Sequence, residues 1–377
     1  MHLSRVGELK LLKEVREKFS STDEDILIGI GDDASVIAPQ KEKILITTDM
    51  MNEGIHFDPG YSSPFHIGFK LTSVNVSDIM AMGGRPRFLF LSISMKKDTD
   101  EEAFWKLYEG IAYAMDVYGL KLLGGDLCSA KNDMALSATV IGIGSKIITR
   151  GGASAGDKIY VTGNIGDSAC GLEILKRLTQ ESKNRIKSYE LEVMSKDKKK
   201  REGKDLFLTL NSELLTLNLS TAEPLLKRHL MPVARDSSEI AGYASSMIDI
   251  SDGLFIDLCR ICDESNVGAK IYLDRLPISH EMRLAADIMG LDPIHLATSG
   301  GEDYELLFTA PADAVISHKS LVISKKNNSE LNSSLITHHS SLFKITCIGE
   351  IIEKDRVVID KTGRELPMKA EGYQHFD

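Results

Sequence analysis

Apolar and polar positions follow two different periods along the first 150 residues. The runs KILITTD (Lys43–Asp49), FLFLSISM (Phe88–Met95) and MALSATVIGIG (Met134–Gly144) are short, apolar and rich in β-branched residues, and predict strands. Between them, PFHIGFKLTSVNVSDIMAMG (Pro64–Gly83) and DEEAFWKLYEGIAYAMDVYG (Asp100–Gly119) show helical periodicity. The opening MHLSRVGELKLLKEVREKFSS reads as an amphipathic charged helix. These elements predict a mixed α/β first domain, residues 1–149.

Small residues and glycines in TRGGASAGDK (Thr149–Lys158) break that pattern, and the strand-like KIYVTG (Lys158–Gly163) opens a second α/β domain, residues 150–377. Within it the segment from Gln180 to Ser220 becomes charged, with SKDKKKREGKD (Ser195–Asp205) at its centre, and reads as an insertion with a solvated face. SKKNNSELNSSLITHHSS (Ser324–Ser341) reads as a second surface insertion.

Composition narrows the classes. The chain has 377 residues, 42% of them hydrophobic and 27% charged, as expected for a folded, water-soluble protein of two domains. A formal net charge of -10 argues against a dedicated nucleic-acid binder, because counterion release needs clustered Lys and Arg. No apolar run is long enough to span a membrane and the N-terminus has no signal-like apolar core, so a cytoplasmic protein with no membrane partner is expected. Five cysteines at irregular spacing make no disulfide framework. Cys259 and Cys262 form a single C-x-x-C inside the helical pattern GLFIDLCRICDES, which favours burial over metal or redox duty.

The chemistry lies in acidic residues set beside Gly, Ser or Thr at turns. They are Asp32 and Asp33 in IGIGDDAS, Asp49 in TTDMM, Asp78 in NVSDIMAMGG, Asp126 in LLGGDLC, Asp249 and Asp252 in IDISDGL, and Glu302 and Asp303 in SGGEDYELLF. Each alone is ordinary turn chemistry. Together they suit Mg²⁺, which takes hard oxygen ligands, keeps several waters and bridges one or two carboxylates to substrate phosphates. Spacing excludes two alternatives. The residue twelve places along from Asp249, counting it as one, is Arg260 where a calcium loop needs Glu, and GGASAGDK has Asp157 in the lysine position of a P-loop. In VTGNIGDSACGLEIL, Gly163 and Gly166 lead into a helix whose N-terminus either meets a phosphate or is simply capped.

The order of these motifs resembles the thiamine-monophosphate kinases, in the superfamily that also holds aminoimidazole ribonucleotide synthetase and selenophosphate synthetase. GIGDDAS, TTDMMNEGIHF, VNVSDIMAMGGRP, GGDLC, TRGGASAGDKIYVTGNIGDSACGL, IDISDGL, SGGEDYELLFT and EGYQHF cover nearly the whole chain, the last two being the most specific. The resemblance implies a two-domain α/β (α+β) aminoimidazole ribonucleotide synthetase-like fold, whose N-terminal domain shares a β-barrel with its copy in a homodimer. It also implies ATP-dependent phosphorylation of thiamine monophosphate to thiamine diphosphate, the final step of thiamine diphosphate biosynthesis, with several Mg²⁺ ions.

Carried over by position, the resemblance assigns Asp33, Thr47, Thr48, Asp49, Asp78, Asp126, Asp249 and Asp252 to metal. Gly125, Asp126, Arg150 and Ser251 go to ATP, and His56, Glu302 and Tyr373 to thiamine monophosphate. Leu127 and Cys128 stand where hydroxyl residues are common in the family. The acceptor is already a phosphate oxyanion, so no general base is expected, and direct in-line transfer follows from positioning and charge neutralisation. Two rivals use the same residues: a sister synthetase acting on another acceptor, and a non-catalytic nucleotide or cation binder.

Overall fold

The computed structural model describes residues 1–31, 34–188, 207–210, 216–313 and 344–375. In chain order its strands are β1 (Ile26–Ile28), β2 (Val36–Ile37), β3 (Lys43–Asn52), β4 (Arg85–Lys96), β5 (Lys121–Ala130), β6 (Ala135–Gly144), β7 (Lys158–Thr162), β8 (Phe207–Thr209), β9 (Thr216–Asn218), β10 (Ser246–Asp249), β11 (Gly268–Tyr272), β12 (Leu306–Ala310), β13 (Ile345–Ile352), β14 (Arg356–Ile359) and β15 (Glu365–Pro367). The chain forms two compact units. The first comprises residues 1–79, 84–145 and 175–219, and the second 80–83, 146–174 and 220–377.

The first unit is built on a four-stranded sheet of order β3-β6-β4-β5. Strands β3 and β6 pair antiparallel along their full length, from Lys43 opposite Gly144 to Asn52 opposite Ala135. β4 and β5 run parallel, joined by the helix Glu101–Tyr118, because parallel neighbours need a crossover connection. The helix Pro64–Ala81 is buried along nearly its whole length. Three of its polar residues find partners within the fold: Thr72 Oγ1 donates to Gly68 O, Asn75 Nδ2 to Leu71 O, and Ser73 Oγ meets the Tyr118 hydroxyl at 2.6 Å. Two glycines let the helices touch. A Cβ at Gly68 would lie 2.1 Å from Leu107 O, and one at Gly110 would lie 2.0 Å from Phe65 O.

The second unit holds a seven-stranded sheet of order β10-β12-β7-β13-β11-β14-β15, antiparallel except for β11 beside β14 and carrying a shift between Cys347 and Gly349. β10 and β12 are buried throughout. Tyr160 and Phe308 stack at 5.2 Å in a core with Met247, Ile148 and Ile240. The helix Leu254–Ser265 starts directly after the turn that ends β10, which places the IDISDGL motif at a strand-to-helix junction.

Of the expected insertion Gln180–Ser220, the ends are ordered in a way the charge pattern hides. Gln180–Ser188 is helical, and β8 pairs with β9 in a short antiparallel hairpin. Both strands follow the charged run, Phe207–Thr209 pairing with Thr216–Asn218. The run Ser195–Asp205 and the polar stretch Ser324–Ser341 lie outside the described residues.

Candidate functional site

In the first unit the acids are positioned by β3 and by the helix Pro64–Ala81. Successive side chains of a strand point to opposite faces, so Thr47 and Asp49 share one face of β3 while Thr48 takes the other. On the first face Thr47 Oγ1 donates to Asp78 Oδ2 at 2.6 Å, and the Asp49 backbone N–H donates to Asn75 Oδ1 at 2.9 Å. Asn75 has no exposed surface, so the helix fixes the backbone of β3 at the acid itself.

Thr48 does not join that group. Its Oγ1 donates to Ala138 O and accepts from Thr139 on the opposite face. Register places Asp126 in the row of Ser92, Ser137 and Met50, on Thr48's side of the sheet. Gly125 is required beside it, since a Cβ there would lie 1.9 Å from Leu91 O. Leu127 and Cys128, the departures from the family pattern, continue the same strand. Asp33 lies outside the described residues.

His56 sits in the turn that follows β3. Its Nδ1 accepts the Asn52 backbone N–H at 3.0 Å, so the neutral ring carries its proton on Nε2. Gly54, at φ +82°, closes the turn by donating to Phe57 O, and buried Lys70 donates to His56 O at 3.3 Å.

In the second unit the turn after β10 is organised by a residue that the motif reading missed. Asp257 has no exposed surface, and its Oδ2 accepts the backbone N–H groups of Ser251, Asp252 and Gly253 at 3.1, 3.1 and 3.2 Å. Burial pushes its pKa up to about 6, opposed by Arg260 and the backbone donors. Arg260 forks between Asp257 Oδ1 at 2.5 Å and Asp252 Oδ2 at 2.6 Å. The signal in the sequence was an Asp and an Arg three apart in the first turns of the helix, the spacing of helical neighbours.

Two more segments lie against this turn. Glu302 N donates to Ser251 O at 2.7 Å, Tyr304 N to Ile250 O at 2.9 Å, and Tyr373 N to Asp252 O at 3.0 Å. The structure therefore brings Ser251, Asp252, Glu302 and Tyr373 together at the backbone, with Asp249 buried at the end of β10. Glu302 and Tyr304 both occupy the left-handed region, at φ +66° and +50°, where non-glycine residues are strained. Their neighbours hold them there. Glu305 accepts both Nε and Nη2 of Arg235, and also meets Arg228 and Thr162, all with no exposed surface of its own. Arg150 is exposed, and its carbonyl accepts the Ser265 hydroxyl.

The helix start at Asp167 meets an anion, and that anion is the protein's own. Asp303 accepts the Gly166 and Ser168 N–H groups at 2.5 and 3.0 Å, so capping is what this glycine-led turn provides. Cys259 and Cys262 are buried free thiols, the second pushed up to about 12 by burial, which is the chemistry of packing rather than of a reactive pair.

The donor set is all oxygen. Among the described residues no three His, Cys, Asp or Glu side chains converge as a preformed cage. Asp49, Asp78 and the Thr47 hydroxyl on one face instead fit a hard cation that takes one or two carboxylates and completes its shell with water and phosphate.

The family model described as AIR synthase related protein, N-terminal domain, matches residues 31–144, and the C-terminal domain of the same description matches residues 154–360. A thiamine-monophosphate kinase of Aquifex aeolicus (strain VF5) is 32% identical over 378 residues, covering 100% of each chain. The crystal structure of thiamine-monophosphate kinase from Stenotrophomonas maltophilia K279a matches with a TM-score of 0.69 at 29% identity, covering 94% of this chain and 96% of that one. A solved structure described as AaThiL complexed with AMPPCP and TMP matches with a TM-score of 0.65 at 27% identity, covering 100% of this chain and 99% of that one.

Proposed function

The chain belongs to the thiamine-monophosphate kinase family of AIR synthase related proteins, and from that premise we propose that it transfers the γ-phosphoryl group of ATP to thiamine monophosphate. The bond between the γ-phosphorus and the β–γ bridging oxygen breaks, a bond to an oxygen of the acceptor phosphate forms, and ADP and thiamine diphosphate leave. One observation carries the reading. The turn bearing Ser251 and Asp252 is bonded to the loop of Glu302 and to the segment of Tyr373, in a chain matching end to end a structure described as complexed with AMPPCP and TMP.

The residues divide the work by chemistry. Asp33, Thr47, Thr48, Asp49, Asp78, Asp126, Asp249 and Asp252 are the proposed Mg²⁺ ligands; Thr48, turned from Asp49, would contribute through its backbone or from the other face of β3. Bound Mg²⁺ supplies the positive charge that lets phosphate groups approach a set of carboxylates. Gly125, Asp126, Arg150 and Ser251 are proposed to hold ATP, Gly125 by the close backbone approach its missing Cβ permits. His56 presents an Nε2 donor suited to an anionic acceptor, Glu302 a carboxylate suited to amino groups and cationic rings, and Tyr373 an aromatic face, and these are proposed to line the thiamine monophosphate site. No side chain needs to remove a proton, because the attacking oxygen is already ionised.

The domains are proposed to divide at residues 149 and 150, with the first pairing in a homodimer. Ile44, Ile46 and Met50 on the outer face of edge strand β3 are 51%, 68% and 58% exposed, an apolar strip that a copy of the same sheet would cover in a shared barrel. A cytoplasmic location is part of the same proposal. Among the described residues no helix is long and apolar enough to cross a membrane.

Product analysis tests the assignment. Purified protein with Mg²⁺-ATP should yield thiamine diphosphate and ADP with thiamine monophosphate, and neither with thiamine or with no acceptor. ADP release independent of thiamine monophosphate would overturn it.

A further inference from the structure

The two carboxylate oxygens of Asp252 are treated differently by the fold. Oδ2 accepts Nη2 of Arg260 at 2.6 Å, whereas among the described residues no donor meets Oδ1. The side chain is 29% exposed.

The guanidinium that holds Oδ2 has little freedom of its own. Its Nη1 donates to Asp257 Oδ1 at 2.5 Å, and Asp257, with no exposed surface, uses Oδ2 to accept the N–H groups of Ser251, Asp252 and Gly253. The contacts form a closed circuit. The backbone of the turn holds Asp257, Asp257 holds Arg260, and Arg260 holds a side chain that the same turn carries. Turning Arg260 away would leave the sealed Asp257 carboxylate without its cation, a costly arrangement where water does not reach. Only a rigid fork can serve both carboxylates at once.

The backbone of Asp252 is fixed as well. A Cβ at Gly301 would lie 2.4 Å from Ser251 O, and one at Gly372 would lie 2.8 Å from Asp252 O, so both neighbouring segments press on the turn. What remains to Asp252 is rotation of its side chain, and the charge-assisted bond to Arg260 selects one setting of it. A single carboxylate oxygen in a fixed orientation suits a cation that keeps several of its waters.

We propose that Arg260, anchored by Asp257, is a positioning residue for the divalent cation assigned to Asp252, holding Oδ2 so that Oδ1 is the ligand oxygen. The proposal rests on the reading of Asp252 as a metal ligand. It carries a sign that charge alone would reverse. A guanidinium beside a cation repels it, so a purely electrostatic role makes removal of Arg260 tighten metal binding, whereas an orienting role makes removal loosen it.

Binding of Mn²⁺ to the full chain, followed by the electron paramagnetic resonance signal of the free ion, separates the two without turnover. Asp252→Asn should weaken one class of Mn²⁺ sites. Arg260→Lys keeps the charge and loses the fork, and should weaken the same class about tenfold. Arg260→Gln, which loses the charge and keeps one donor, should weaken it too, and it provides the same test should the lysine variant not fold. Adding Arg260→Lys to Asp252→Asn should change Mn²⁺ binding little further, because both act through one contact. In turnover, Arg260→Lys should raise the Mg²⁺ concentration that gives half the maximal rate, with KM for thiamine monophosphate within about twofold.

Tighter Mn²⁺ binding in either Arg260 variant, or unchanged binding with a lowered melting temperature, would overturn the positioning role. Full additivity of the two substitutions would do the same. Unchanged Mn²⁺ binding in Asp252→Asn would instead overturn the reading of Asp252 on which the proposal rests.

Discussion

Asp303 is a carboxylate with no exposed surface that caps a helix it does not belong to. Burial pushes its pKa up to about 7, while the Gly166 and Ser168 N–H groups pull it down. The sign of the consequence follows from linkage. The ordinary value is 3.8, so between that pH and about 7 the folded chain holds a proton that the unfolded chain has shed, and the contribution to stability grows as pH falls through this window. Asp303→Asn removes the titration. Urea unfolding should therefore show the wild type gaining on the variant by about 2 kcal/mol from pH 7.5 to pH 5. A gap that narrows on acidification would mean that the two N–H groups win and hold the carboxylate ionised. In the sequence Asp303 stands out, like Asp49, Asp78 and Asp252, only by its turn neighbours. Its capping role, and the role of Asp257, come from what folds against them.

At the scale of elements, β3 shows how one strand serves two purposes. Its period of two sends Leu45, Thr47, Asp49 and Met51 toward the helix Pro64–Ala81 and leaves Ile44, Ile46, Thr48 and Met50 on the outer face. The apolar run KILITTD correctly predicted a strand, but a continuous apolar run does not say which face is covered by the chain itself. Ile46, 68% exposed, is the most open apolar residue of the strip. Ile46→Lys should turn a dimeric species into a monomer in sedimentation velocity, with the far-ultraviolet circular dichroism unchanged. A variant that sediments as the wild type does would remove this face from the proposed interface. The long helices were equally legible, since their apolar spacing is dictated by burial. The β8–β9 hairpin was not, because the charged run that precedes its strands dominates the composition of the segment. The helix start at Asp167 was ambiguous for a different reason: a phosphate and a carboxylate make the same demand on free N–H groups, and only the fold supplies Asp303.

For the whole molecule, charge sets the central constraint. A chain with a formal net charge of -10 is proposed to bring together two substrates that both carry phosphate, beside a set of its own carboxylates. The field of such a protein repels both proposed substrates at long range, so under this proposal a divalent cation would be integral to the assembly rather than an accessory. Each compact unit carries part of the acid set: Asp49, Asp78 and Asp126 in the first, Asp249 and Asp252 in the second. The most direct test follows the phosphorus atom itself. Purified protein would be mixed with ATP labelled at the γ-phosphorus, thiamine monophosphate and Mg²⁺, and the quenched mixture separated by chromatography. Label is expected in the terminal phosphoryl group of thiamine diphosphate, with none retained on the protein and no transfer when the metal is chelated. Label released as inorganic phosphate, or passed to the protein, with thiamine monophosphate unchanged would contradict it.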